Sequence, residues 1–493
     1  MKLRKIITSI IALSLYGCAV QSPNISRSKF AAAEEEKAAE TISFDEGTGT
    51  LTLKGNVVVD EVMKYSLNKN VKTVIAEEGT VLPEDCRALF NNFEALKIDL
   101  SKADTSRVTN MAGMFSFCIS LIDVDLSGLD ASNVTHMNDL FYTCQSLKSI
   151  DLSGIDTSNV IDMHSMFCGC CSLESLDLSE LDTSSVTNMD SMFKYCSSLE
   201  SLDLSSFDTS SVKSMEMMFG SCIALTSIDL SGINTSNVID MGCMFVGCSS
   251  LKYLDLSGFD TSNVTIMDNM FDGCKALTTV DISGFNTKKV SSMVRLFAGC
   301  RSLQSIDISG FDFSGLSSSY FNDNKSFVDN YYDMFKNCKE LKTIYADRAL
   351  NIKNNYRNNL FSGCINLVGG NGTKFDESKI DVTYAHIDEP GNPGYFTEKK
   401  NGSGTDSVQK TRKLGDATDD GIIDAVDASN ILSQYTKYST GVAEPTTEDL
   451  SVCDVNKDGY IDSVDASNVL AYYAHISTGG ALSLAEFLKK QTS

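Results

Sequence analysis

The chain has 493 residues, room for two or three domains and a sizeable core, and a formal charge of −24. That charge argues against nucleic acid and anionic membrane surfaces as partners, since both reward Lys and Arg. Trp is absent altogether, which counts against a cleft that stacks sugars on aromatic faces.

Residues 1–22, MKLRKIITSIIALSLYGCAVQS, join Lys2, Arg4 and Lys5 to an apolar run from Ile6 to Tyr16. This is the pattern of an export signal, too short to cross a bilayer as a stable helix. Leu15 to Cys18 is similar to a lipobox, which makes Cys18 a candidate lipidated N-terminus, with Tyr16 atypical there; ordinary cleavage after Ala19 is the alternative. Residues 23–42, with AAAEEEKAAE, are expected as a polar linker. Thr41 to Leu82 alternates like strands and places Gly-Thr-Gly at a hairpin turn, as a cap over an open coil would.

From Phe115 to Cys300 one 26-residue pattern repeats, with Cys118, Cys144, Cys170, Cys196, Cys222, Cys248, Cys274 and Cys300 at constant intervals. A period in this range marks a solenoid, in which each coil buries its apolar face only against its neighbours. In one repeat, Val134, Met137, Leu140, Phe141 and Cys144 recur at the spacing of a short helix or helical turn. Leu147, Ile150 and Leu152 then follow as a short strand, with Lys148, Ser149 and Asp151 outward, before a turn at Gly154 and Asp156. The Cys column, continued by Cys338 and Cys364, stands three residues after a buried Phe, where a free thiol packs as a small hydrophobe; disulfides between coils are the alternative. Cys168, Cys170 and Cys171 include a C-x-x-C spacing without the second pair that a zinc site needs.

Two Asp columns run along the array. Asp130, Asp156, Asp182, Asp208 and Asp260 give way to Asn234 and Asn286, so this column reads as turn chemistry. Asp99, Asp125, Asp151, Asp177, Asp203, Asp229, Asp255, Asp281 and Asp307 never change. Stacked about 5 Å apart, these carboxylates call for relief by hydrogen bonds, the preferred reading, or by cations along the face. The neighbouring outward positions, such as Ser149, Ser175, Ser201 and Ser227, are small and repetitive.

The pattern resembles the BspA-type leucine-rich repeat of bacterial surface proteins, whose repeat reads DLSGFDTSNVTNMSxMFxxC. The likeness covers residues 43–398, more than two-thirds of the chain. It implies an α/β leucine-rich-repeat solenoid and a surface used in adhesion or cell-surface interaction, with the ligand of the repeat face, protein or glycan, left undefined.

Cys300 to Cys338 spans 38 residues instead of 26, so an insertion bulges from the coil, carrying Tyr320, Phe321, Phe327, Tyr331 and Tyr332. Inserted loops often serve recognition; the alternative is that some rings pack back on the coil. Tyr395 and Phe396 are expected to close the core, and residues 399–412 form a flexible linker.

Residues 413–493 have a different pattern. Asp416, Thr418, Asp420, Ile422, Asp424 and Asp427 occupy positions 1, 3, 5, 7, 9 and 12 of a twelve-residue calcium loop with Gly421 at its sharp turn. Thirty-eight residues on, Asp454, Asn456, Asp458, Tyr460, Asp462 and Asp465 repeat the pattern around Gly459. Ca²⁺ wants six to eight oxygens, and each loop supplies them from side chains and from the backbone carbonyl at position 7. Asp at position 12 and the lack of a full entering helix separate the pair from sensor EF-hands.

This region resembles a type I dockerin, a small all-α calcium-binding domain. The likeness implies two Ca²⁺ ions and, as partner, a cohesin domain of a scaffoldin, met at loop positions 10 and 11: Ala425, Val426, Ser463 and Val464 here. Thr418 departs from the usual Asn or Asp and points to a weaker first site. The doubled sequence implies that either half can face the partner. His136, His164, His386 and His475 are scattered, and no H-E-x-x-H, Walker or G-x-S-x-G motif occurs, so no residue is assigned a catalytic role. The reading is a non-catalytic, exported protein, held in a cellulosome or at the bacterial surface, that docks through calcium and presents a repeat surface. The alternative is a surface adhesin anchored by lipid on Cys18, its dockerin recruiting scaffoldin.

Overall fold

The structure, a computed structural model, describes residues 41–399 except 231, 317–319, 322–326, 329–330 and 351–358, and then 414–417, 423, 425–439, 445, 447–477 and 482–491. The expected signal segment with Cys18 lies outside the described residues, as do nearly all of both expected linkers.

The solenoid starts with a hairpin, Ile42–Asp45 against Thr50–Leu53. Its turn needs Gly49 at φ +72, where an added Cβ would meet Asn70 O at 2.5 Å. Thr50–Leu53 then pairs in parallel with Thr73–Ala76, followed by Lys97–Asp99 and Asp123–Asp125. Leu51 and Leu53 point inward and seal the first coil.

Each later coil has a strand side and a turn side. Val134, Met137, Leu140, Phe141, Cys144, Leu147, Ile150 and Leu152 are all buried, as the spacing predicts. The segment expected as a helical turn nevertheless lacks a helical backbone. Asp139 and Thr143 sit in the left-handed region at φ 55 and 61, and the equivalent residues of the coils from Gly113 and Phe117 to Asp333 and Asn337 do the same. Alternate N–H groups therefore point to the next coil: Met137 donates to Asp162 O (3.0 Å), Asp139 to His164 O (2.9 Å) and Phe141 to Met166 O (2.9 Å). The amides between fold back, Leu140 to Met137 O (3.3 Å) and Tyr142 to Asp139 O (3.0 Å). A left-handed non-Gly residue costs about 1–3 kcal/mol, and the intercoil bonds offset it. The spacing of apolar residues reports the buried face alone, which a helix and this turn ladder share.

Three columns of side chains lock coil to coil. Phe90, Phe115, Phe141, Phe167, Phe193, Phe219, Phe245, Phe271, Phe297, Phe335 and Phe361 stack with centroids 5.2–6.0 Å apart. Beside them each Cys thiol is buried and free, and it donates to the Phe carbonyl of the previous coil: Cys222 Sγ to Phe193 O and Cys248 Sγ to Phe219 O, both 3.1 Å. Burial pushes these thiols well above their usual range.

The third column is the Thr of each Asp-Thr-Ser, which the sequence reading placed in the turn without a task. Thr209 Oγ1 donates to Asn234 O (2.9 Å) and accepts from Asn234 N–H (2.8 Å), and Thr261 and Thr287 treat Asn286 and Asp312 alike. The far end closes as expected on buried Tyr395 and Phe396. There the buried Asp388 carboxylate accepts N–H groups of Asn371 and Thr373 (both 2.9 Å) and of Gly394 (3.2 Å).

After residue 413 the chain is helical. Helices Ala425–Ser439, Thr447–Cys453, Ser463–Ser477 and Leu484–Gln491 share a small apolar core. That core is doubled at a spacing of 38: Ala417 with Val455, Ile423 with Ile461, Ala428 with Ala466, Ile431 with Val469.

Candidate functional site

Both Asp columns of the solenoid are tied to the backbone two residues on. Asp151 Oδ1 accepts Ser153 N–H (2.9 Å), Asp177 Oδ1 accepts Ser179 N–H (3.0 Å), and Asp203, Asp255, Asp281 and Asp307 repeat the bond. Hydrogen bonds from these Ser residues hold the Asp151 and Asp177 carboxyls below the usual range. The other column makes the same closure, Asp156 to Ser158 and Asp208 to Ser210. Asn234 makes it equally well to Ser236, so the column needs geometry and not charge.

Of the inserted aromatic residues, Tyr331 is fully buried, while Tyr332 is half-buried with Lys336 Nζ 5.8 Å from its ring centroid. Tyr320–Phe321 pairs antiparallel with Phe327–Val328, a hairpin whose side chains lie outside the described residues. Cys168 and Cys170 are buried and Cys171 half-buried, all with free thiols.

The second calcium-type loop is described throughout. Gly459 takes φ +94 and Lys457 φ +63, which folds the loop on itself. Asp454 is buried and accepts Asp458 N–H (3.0 Å) and Gly459 N–H (2.9 Å). Asn456 Oδ1 accepts Asp458 N–H (2.9 Å), and Asp458 Oδ1 accepts Tyr460 N–H (2.9 Å). From the start of the following helix, fully buried Asp465 reaches back to Val455 N–H (2.7 Å), Asn456 N–H (3.1 Å) and Asp462 N–H (2.9 Å). Burial raises the Asp465 carboxyl, and these three N–H groups oppose the rise.

Five oxygen-bearing side chains thus ring one loop, with Tyr460 turned out at 72 % exposure and its backbone carbonyl left as the sixth donor. Hard oxygen donors in this number suit Ca²⁺. Among the described residues no three carboxylate, thiolate or imidazole groups are yet gathered closely enough to hold an ion.

In the first loop Asp416 and Asp427 are buried like their counterparts Asp454 and Asp465. Thr418, Asp420, Ile422 and Asp424 lie outside the described residues. Of the expected partner contacts, Ser463 and Val464 are exposed at the start of their helix, Val464 by 50 %. Ala425 and Val426 begin the matching helix, and their side chains lie outside the described residues.

The structure adds four surface residues that the sequence reading missed. Leu432 and Leu470 are 41 % and 44 % exposed, and Tyr435 and Tyr473 39 % and 40 %. Each pair is 38 residues apart, so the two helices show the same apolar pattern outward. The signal was in the sequence as apolar residues off the core face, visible only once the core register was known.

A leucine-rich-repeat solenoid with a calcium-loop helical module is therefore the class these features define. The repeats match the family described as "Mycoplasma protein of unknown function, DUF285" over residues 64–167, 144–253 and 225–365. This chain belongs to that family, a BspA-like repeat family. Residues 414–472 match the type I dockerin domain, a calcium-binding module whose partner is a cohesin. Among curated proteins none matches. Among solved structures, a leucine-rich cell surface protein from Faecalibacterium prausnitzii is 17% identical over 70% of this chain and 94% of its own, with a TM-score of 0.36. A leucine-rich repeat protein from Eubacterium ventriosum is 17% identical over 70% and 91%, with a TM-score of 0.34.

Proposed function

We propose that this protein is a non-catalytic assembly subunit, in which the dockerin binds a scaffoldin cohesin in calcium and the solenoid presents a surface for adhesion. The observation that carries this reading is the doubled dockerin: core, buried loop carboxylates and exposed Leu-Tyr pairs all repeat at a spacing of 38. The proposed division is a signal at 1–22, linkers at 23–42 and 399–412, the repeat domain at 43–398 and the dockerin at 413–493. Two Ca²⁺ ions are assigned, one to Asp416, Thr418, Asp420, Ile422 O, Asp424 and Asp427, the other to Asp454, Asn456, Asp458, Tyr460 O, Asp462 and Asp465. Until the ion arrives, the clustered carboxylates repel and the module is only partly ordered. Cohesin then meets Ser463 and Val464, or Ala425 and Val426, with the neighbouring Leu and Tyr of the same helix.

The test is capture of the full chain, and of residues 43–398 alone, by a panel of cohesins in Ca²⁺ and again in EDTA. Calcium-dependent capture of the full chain alone supports the reading; capture that survives EDTA, or none by any cohesin, refutes it. The setting proposed is extracellular, and among the described residues no helix is long and apolar enough to cross a membrane. The Leu15–Cys18 sequence favours a second form, anchored by lipid on Cys18, and mass spectrometry of the mature N-terminus separates the two.

A further inference from the structure

The strand side of the solenoid is laddered unevenly. Lys97–Asp99 pairs with Asp123–Asp125, Ser201–Asp203 with Ser227–Asp229 and Tyr253–Asp255 with Thr279–Asp281, with single joints open between Asp229 and Tyr253 and between Asp281 and Ser305. Residues 149–151 and 175–177 belong to no sheet, which leaves three joints open in a row. Leu100 N–H bonds Asp125 O at 3.0 Å and Leu256 N–H bonds Asp281 O at 2.8 Å; among the described residues Leu126, Leu152, Leu178, Leu204, Leu230 and Ile282 make no such bond, so in coils 126–181 its loss coincides with the loss of strand pairing. The turn side runs through the same coils unbroken, from Met137 to Asp162 O, Met163 to Asn188 O and Met189 to Ser214 O at 3.0–3.3 Å.

The cause lies in the column after each strand. Phe207, Phe259, Phe285 and Phe311 fill it in later coils, with Ile233 the one smaller residue among them, but Leu129, Ile155 and Leu181 stand in succession here and line an apolar void beside Phe115 and Met137. One threonine rung is also missing, because Ala131 offers no hydroxyl to Asp156. A crevice opens at the surface beside the void, lined by Asp151, Asp177 and Glu180. Across it run the Lys148–Glu174 ion pair (2.8 Å), the Glu174 N–H to Lys148 O bond (2.9 Å) and the Gly154 N–H to Glu180 bond (2.8 Å).

We infer that residues 126–181 form a flexure in the solenoid. The turn ladder is the pivot, and the strand side opens and closes because three successive joints have no strand pairing and three successive column residues leave volume unfilled. The presented strand face changes its curvature most here, where open joints are consecutive, and less at the single open joints further on. Underfilled cores lose contacts on one side of every lining atom and move more easily.

Hydrogen exchange on the full chain, read by mass spectrometry of overlapping peptides, tests this. Amides of residues 149–153 and 175–179 should exchange at least ~10-fold faster than those of 201–205, while 137–144 and 163–170 stay protected. Equal protection of 149–153 and 201–205 overturns the flexure. The paired substitutions Ile155→Phe and Leu181→Phe should slow exchange at 149–153 if they fold. A folded pair with unchanged exchange overturns the assignment to missing ring volume, and should the pair fail to fold, the wild-type comparison still decides.

Discussion

Replacing Thr209 by Val removes one hydroxyl and little volume from the interior. Thr209 is fully buried, and its Oγ1 serves both Asn234 O at 2.9 Å and Asn234 N–H at 2.8 Å. A buried group left without its partner costs about 1–3 kcal/mol. Asn234 itself is exposed, so water reaches part of the broken pair and the low end applies to each group, about 2 kcal/mol in total. Thr209→Ser keeps the hydroxyl and loses a methyl, about 1 kcal/mol. Urea unfolding should show the Val variant weaker than the Ser variant, and amide exchange at Asn234 should quicken roughly 30-fold in the Val variant, as about 2 kcal/mol requires. Unchanged exchange at Asn234, or a Ser variant as damaged as the Val variant, would refute the rung.

Other outcomes follow from the same columns. Phe219→Ala opens a cavity between Phe193 and Phe245 and should cost about 3–5 kcal/mol in chemical unfolding. Alkylation of the native chain at pH 8 should label Cys171 before any buried thiol of the Cys column, because burial raises those thiols; rapid native labelling of Cys222 would contradict the packing. Asp454→Ala together with Asp416→Ala should abolish calcium-dependent capture by cohesin and leave the solenoid's unfolding transition in place. Hydrogen bonds that the His164 ring donates to the Asp139 and Asp162 carboxylates raise its imidazole to about 10. Its stabilisation is full below the free-histidine range near ~6.5 and is lost as pH rises through about 10, so His164→Gln should flatten the loss of stability between those limits.

The repeat, its buried positions and both caps were legible because the apolar residues recur on a fixed period, and period reports burial directly. The backbone of the Met-x-x-Leu-Phe-x-x-Cys segment was not legible. Its left-handed residues include Asp139, Thr143 and Tyr195 as well as Gly169, so composition gives no turn signal, and the intercoil bonds that select this geometry connect residues 25 apart. Thr209 was hidden for a related reason: beside Asp208 and Ser210, both turn formers, it reads as a third. In the dockerin, position in the loop named Asp454, Asn456, Asp458 and Asp465, and the structure shows each accepting N–H groups of its own loop. Leu432 and Leu470 stand in the doubled sequence, but that they face outward was hidden until the core register was known.

Cys338 follows Cys300 by 38 residues, yet its thiol meets Phe297 O at 3.0 Å, as every other joint in the array does. Extra chain can thus leave the coil and return without altering how one coil recognises the next. Each joint is also a copy of its neighbours, so duplicating or deleting 26 residues produces no new kind of contact. Unequal recombination within such a gene would yield longer and shorter siblings built from the same joint, and the length of the presented face becomes a quantity that heredity can adjust in steps of one coil.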